Sequence, residues 1–95
     1  MQLEIITPES LVFQGEATAV QFPGLDGSFQ VLNGHAPIIS ALAAGDVKVD
    51  LDKPYSSEEE NDKVKVDGAN KNTIRVTING GVVEMTNNKV IVLAE

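Results

Sequence analysis

The sequence predicts an all-β domain, a sandwich or barrel of about nine short strands. Two observations carry this. Apolar residues alternate with polar ones in short runs: Val47, Val49 and Leu51 against Lys48 and Asp50, and Ile74, Val76 and Ile78 against Arg75 and Thr77. Turn signals (Pro23-Gly24, Asp26-Gly27, Asn33-Gly34, Gly80-Gly81, Asn87-Asn88) punctuate the chain at steps of roughly 8–12 residues. No amphipathic helix of normal length is visible. Residues 38–44 are the one helix-compatible stretch, and the pair Ile38-Ile39 followed by Gly45 favours strand.

Taken in order, Gln2 to Thr7 is strand-like through Leu3, Ile5 and Ile6, and Pro8 stops it. Leu11 to Glu16 forms a second candidate and Ala19 to Phe22 a third, with Val20 and Phe22 on one face. Ser28 to Leu32 follows, with Phe29 and Val31 on one face. Pro37 opens the run to Leu42, and Gly45 closes it. The two alternating strands come next, ending near Leu51 and starting at Thr73. Val82 to Met85 leads to Asn87-Asn88, a hairpin turn, because Asn tolerates the left-handed backbone such turns need. Lys89 to Ala94 is a nearly continuous apolar run, which suits a strand covered on both faces.

Residues 52–72 interrupt the rhythm. They read as a long acidic loop, with Val64-Lys65-Val66 a candidate edge strand inside it. On that reading, replacing residues 55–70 by a short Gly linker barely alters stability.

Ninety-five residues make a single domain, 1–95, and 42% hydrophobic residues suffice for one core. The 7 Lys+Arg against 14 Asp+Glu leave a net charge of −7. Phosphate backbones and anionic lipid surfaces repel such a chain, so neither nucleic-acid binding nor direct lipid insertion is expected. The absence of Cys excludes disulfides, thiol catalysis and thiolate metal sites. The start, Met1-Gln2-Leu3-Glu4-Ile5, lacks the features of a secretory signal, and no run approaches the roughly 20 apolar residues of a membrane-spanning helix. The cytosol is the default location unless a partner holds the chain elsewhere.

The inventory for catalysis is thin. His35 is the only histidine, and neither a G-x-S-x-G elbow nor an H-x-x-x-H spacing accompanies it. It reads as a turn residue that hydrogen-bonds backbone ahead of Pro37, or as an interface residue. Glu58-Glu59-Glu60 are adjacent carboxylates that diverge rather than converge, and they lack calcium-loop spacing. Gly24-Leu25-Asp26-Gly27 is not followed by the Lys-Ser/Thr of a phosphate loop. No catalytic, cofactor-binding or metal residue is expected.

Four segments carry a resemblance. Phe22-Pro23-Gly24-Leu25-Asp26-Gly27-Ser28-Phe29-Gln30-Val31-Leu32-Asn33-Gly34-His35-Ala36-Pro37-Ile38-Ile39 resembles the P-G-x-x-G-x-x-G-V-L-P-x-H-A-P-L pattern of the F-type ATP synthase epsilon subunit. Gln30 and Asn33 replace a Gly and a Pro of that pattern. Leu3 to Glu9 resembles the family's opening strand and Val12-Phe13-Gln14-Gly15-Glu16 its V-x-x-G-E strand. Gly80 to Met85 with Asn88 to Ala94 resembles its ending. The match covers everything outside residues 52–72, in the family's order.

The resemblance implies a ten-stranded β-sandwich of two sheets. It further implies a non-catalytic rotor subunit in the central stalk of a proton-translocating synthase, coupling the c-ring to the gamma subunit and the alpha/beta catalytic head. Asp26, Gly27 and Ser28 are then expected at the c-ring, and Thr7, His35 and Ser40 near the gamma subunit or the ring. The chain would be peripheral on the cytoplasmic face of a bacterial inner membrane, and soluble when isolated. Many family members continue into two C-terminal helices that bind ATP or block rotation; no residue up to Glu95 is expected to carry that role. The rival readings are a carbohydrate- or protein-binding sandwich module and a small β-scaffold enzyme with His35 as base.

Overall fold

A computed structural model describes residues 1–55 and 63–95. Glu58, Glu59 and Glu60 lie outside the described residues. The described strands are β1 (Gln2–Ile6), β2 (Leu11–Phe22), β3 (Phe29–Leu32), β4 (Ile38–Leu42), β5 (Gly45–Leu51), β6 (Val64–Val66), β7 (Thr73–Ile78), β8 (Gly81–Thr86) and β9 (Lys89–Ala94). There is no helix among the described residues.

The strands form two layers joined through β2. One layer runs β4-β8-β9-β1-β2, the other β3-β2-β5-β7-β6. The first half of β2 pairs with β1 (Phe13 opposite Ile5, Glu16 opposite Gln2). From Ala17 onward it pairs with β5, and from Ala19 also with β3. A register shift against β5 between Ala17 and Ala19 marks the corner where the strand changes layer. This explains why the sequence reads as two strands there. Alternation breaks between Ala19 and Val20, both buried, because the buried side changes with the layer, not because the chain turns. Each layer therefore has five strands once β2 is counted in both, which reconciles nine strands with the ten expected.

The period-2 residues fill the space between layers. Leu3 and Ile5 from β1, Val20 and Phe22 from β2, Val47 and Val49 from β5, Ile74 and Val76 from β7, and Val83 and Met85 from β8 are all buried. Phe22 and Phe29 stack at 5.4 Å between ring centroids. Each such side chain is worth about 1.5–3 kcal/mol of burial. Asn87 and Asn88 have φ of 53° and 61°, as a two-residue hairpin of the expected kind requires.

The candidate edge strand inside the 52–72 excursion is present as β6. Val64 to Val66 pairs with Ile74 to Val76 as the outermost strand of its layer. Leu51 N donates to the Asn72 carbonyl (2.7 Å) and Tyr55 N to the Lys71 carbonyl (3.1 Å), zipping both ends. The Tyr55 ring packs against Phe13 at 6.2 Å, and Val64 packs on the core. The polar, turn-rich residues around Tyr55 hide its contact with Phe13 in the sequence. The expected neutrality of a 55–70 deletion is therefore revised. Removing β6 and the Tyr55 ring should lower stability by about 1–3 kcal/mol, read as an earlier urea midpoint with an unchanged native spectrum.

A second correction concerns β9. Val90, Val92 and Ala94 point into the core, but Leu93 on the opposite face is 57% exposed and Ile91 half-buried. The run is apolar on both faces although its own fold covers only one.

Candidate partner interface

Leu93 is one member of a row. On the outer face of the β4-β8-β9-β1-β2 layer, register places Ala41 opposite Val82, Val82 opposite Leu93, Leu93 opposite Ile6, and Ile6 opposite Leu11. Five apolar residues thus cross five strands side by side, over about 19 Å at 4.8 Å per strand. Leu11 and Val82 are exposed like Leu93, at 49% and 42%. The adjacent row holds Ile39, Glu84, Ile91 and Glu4, so the apolar line is bordered by two carboxylates. Ile39 is the most exposed large apolar residue, at 77%. Scattered surface apolars need no explanation, but a contiguous line across a whole sheet marks a contact surface.

The predicted site residues spread around this layer. Thr7 follows Ile6 at one end of the row. Its hydroxyl caps the β1–β2 turn, donating to the Ser10 carbonyl and accepting from Ser10 N, both at 3.3 Å. The Asp26-Gly27-Ser28 turn lies exposed beside β4, because Leu25 N donates to the Ala41 carbonyl (3.3 Å) and Ala43 N to the Pro23 carbonyl (2.7 Å). Gly27 N closes the turn on the Gly24 carbonyl at 3.2 Å, and a φ of 117° at Gly27 explains the glycine. Ser40 sits in β4 itself, half-buried on the inner side with Ile38 and Leu42, while its neighbours Ile39 and Ala41 face out. The structure thus sets the Asp26–Ser28 turn beside the strand that carries Ser40.

His35 lies apart. Gly34 N donates to Asn88 Oδ1 (2.9 Å), which puts the 33–37 loop at the β8–β9 hairpin tip, the opposite end of the strands from Thr7. His35 Nδ1 lies 2.7 Å from the Ala36 carbonyl oxygen, an acceptor, so Nδ1 is the donor. His35 N donates to the Leu32 carbonyl at 3.1 Å. This is the turn role read from the sequence. Among the described residues no three His, Asp or Glu side chains converge to hold a metal ion.

What sequence reading missed is the row itself. Its signal was present in β9, whose apolar residues on both faces imply two covers. The row is invisible without register, since the segments that hold Ile6 and Leu11, Ala41, and Val82 and Leu93 are far apart in the chain.

The model of the ATP synthase delta/epsilon chain β-sandwich domain matches residues 1–60 of this chain. The ATP synthase epsilon chain of Chlorobium limicola is 38% identical over 94 residues, covering 99% of this chain and 88% of that one. The chain belongs to the ATP synthase epsilon chain family. The epsilon chain of Chlorobaculum tepidum is similar at 40% identity over 93 residues, 98% of this chain and 86% of that one. The epsilon chain of Sulfurimonas denitrificans is 39% identical, and this chain spans 60% of its length.

Two solved assemblies share the fold of this epsilon-family chain. One is the central stalk/c-ring of the Tetrahymena thermophila mitochondrial ATP synthase (TM-score 0.69, 12% identity, 98% of this chain and 61% of that one). The other is the OSCP/F1/c-ring assembly of the Euglena gracilis mitochondrial ATP synthase (TM-score 0.70, 18% identity, 97% and 48%). At these identities the likeness concerns the sandwich alone. No helix among the described residues is long and apolar enough to cross a membrane.

Proposed function

We propose that this chain is a central-stalk rotor subunit of a proton-translocating ATP synthase. It couples rotation of the membrane c-ring to the gamma subunit and, through gamma, to the alpha/beta catalytic head. It performs no bond chemistry. The observation that carries this reading is the uncovered apolar row Ala41–Val82–Leu93–Ile6–Leu11, a face that needs a protein partner to remove it from water.

The mechanical task is to transmit torque without slipping. A sandwich with a close-packed core resists deformation, and a line of anchors running across every strand spreads shear over the whole layer. In this reading the gamma subunit covers the row, with Thr7 at its end and Ser40 beside its β4 margin. The flanking Glu4 and Glu84 ask for basic residues on gamma, which set orientation more than affinity. His35, at the far end of the layer, borders gamma or the ring. The exposed Asp26-Gly27-Ser28 turn meets the polar loops of the c-ring, where the Asp26 carboxylate accepts charge-assisted hydrogen bonds worth about 1.5–3 kcal/mol each when desolvated. The chain is then peripheral on the cytoplasmic face of a bacterial inner membrane, held there by partners, and soluble alone.

A carbohydrate-binding module lacks support here. Phe13 and Phe22 are buried and Phe29 and Tyr55 half-buried, so no aromatic platform faces solvent.

The test is reconstitution. The chain should co-purify with gamma and the c-ring, and Asp26→Lys should weaken ring docking at least tenfold while leaving gamma binding and the thermal midpoint of the isolated chain unchanged. Undiminished ring docking by Asp26→Lys would remove the Asp26 contact. Failure of the unaltered chain to bind gamma would remove the whole reading.

A further inference from the structure

The layers end in four edges, and three carry protection. β6 is three residues long with Lys65 at its centre. β3 is four residues long. The outer half of β2 has the 51–55 segment alongside, with Tyr55 against Phe13. The fourth edge, β4, is covered by the 23–25 segment only from Ala41 to Ala43 and is unprotected before that. Ile38 to Leu42 contains no charge, no proline and no register break, and its most exposed residue is Ile39.

The backbone of this edge is open at a definable place. Ala41 O and Ala43 N bond outward to Leu25 N and Pro23 O, away from β8. Backbone direction alternates along a strand, so Ile39 N–H and C=O also point outward, and the Pro37 carbonyl lies one step further on the same side. The chain's own 23–25 segment pairs at Leu42, through the bridge to Gly24, and turns away at Asp26. The edge is therefore competent for strand pairing and already uses it, yet among the described residues no strand lies on the outward side of the stretch from Pro37 to Ile39.

We infer that β4 receives an extended segment of the gamma subunit, which pairs main chain to main chain with Ile39 and adds a strand to the layer. This rests on the rotor reading above. The occupant follows from continuity: the apolar row that gamma covers reaches this edge at Ala41, and Ile39 stands next to it on the same face. At Ala41 the outward side is taken by Leu25, so a strand added beside Pro37 to Ile39 extends the adjacent row of Ile39, Glu84, Ile91 and Glu4 by one position. Its residue facing the Ile39 side chain is apolar, because Ile39 has the largest exposed fraction of any big apolar residue and its side chain loses its water to the added strand. The arrangement suits a torque joint, since paired backbones resist sliding along the strand whatever the side chains do.

Amide hydrogen exchange of the full chain, alone and with purified gamma subunit, decides it. The Ile39 amide should exchange at least tenfold more slowly in the complex. Ile39→Pro removes only an outward-facing N–H, which an edge strand tolerates, and should weaken gamma binding at least tenfold more than Ile39→Thr, which keeps the N–H. Gamma binding with an Ile39 amide as fast as in the free chain, and with equal losses for the two variants, overturns the strand addition and leaves the rotor reading standing. Protection of Ile39 that rises with the chain's own concentration and without gamma overturns it in favour of a second copy. No gamma binding by the unaltered chain overturns both.

Discussion

Gly81→Ala should come close to unfolding the chain. A Cβ on Gly81 would stand 2.2 Å from the Leu93 carbonyl oxygen and 3.0 Å from Ala94 Cα, both backbone atoms of the neighbouring strand. Gly81 also has a φ of 149°, which L-residues rarely adopt. Neither problem can be relieved by moving a side chain. The strand pair must separate where Gly81 faces Ala94, and the adjoining bond from Glu95 N to the Gly80 carbonyl (3.0 Å) goes with it. A loss on the order of 3–5 kcal/mol is expected, a large share of the 5–15 kcal/mol that holds a typical domain. Gly27→Ala is the control. Its φ is 117° but nothing lies within 4 Å of the added Cβ, so backbone strain of about 1–3 kcal/mol is the only cost. Urea titration of both variants checks the contrast; a Gly81→Ala midpoint no lower than that of Gly27→Ala contradicts the close approach.

The two glycines show how far the sequence could be read. Both appear as turn signals, and both do end a strand or a turn. Only the folded chain reveals that Gly81 is a glycine because another strand's backbone passes over it. The same limit applies to the layers. Alternation located β5 and β7, because in those strands one face is core and the other is solvent. It failed between Ala19 and Val20, where β2 changes layer, and in β9, whose outer face is apolar but left uncovered by the chain's own fold. Asp26, Gly27 and Ser28 were legible as a turn, and resemblance gave them a role. Nothing in the sequence set that turn against β4, since the bonds from Leu25 and Ala43 are between backbone groups that carry no residue signature.

Leu93→Lys should separate binding from folding. Leu93 is central in the apolar row, between Val82 and Ile6, and its side chain contributes little to the core because its own face is outside. In the isolated chain the lysine stem can lie along the row with its ammonium in water, near Glu4 and Glu84 on the adjacent positions. Stability should change by no more than about 0.5 kcal/mol. Under gamma the same ammonium would lose its water in the middle of the contact, where the leucine gave apolar burial. Central anchors of this kind cost about 2 kcal/mol or more when removed, and a desolvated charge adds to that. Affinity for gamma should fall at least a hundredfold, about 2.7 kcal/mol. Lys65→Leu, on the opposite layer, should do neither. Titration calorimetry against gamma, beside thermal melts of each variant, gives both quantities. A Leu93→Lys chain that binds gamma as tightly as the unaltered one would show that the shaft grips some other face. The apolar outside of β9 would then need a different partner, because a strand that hides only half of its hydrophobic side chains has not finished burying them on its own.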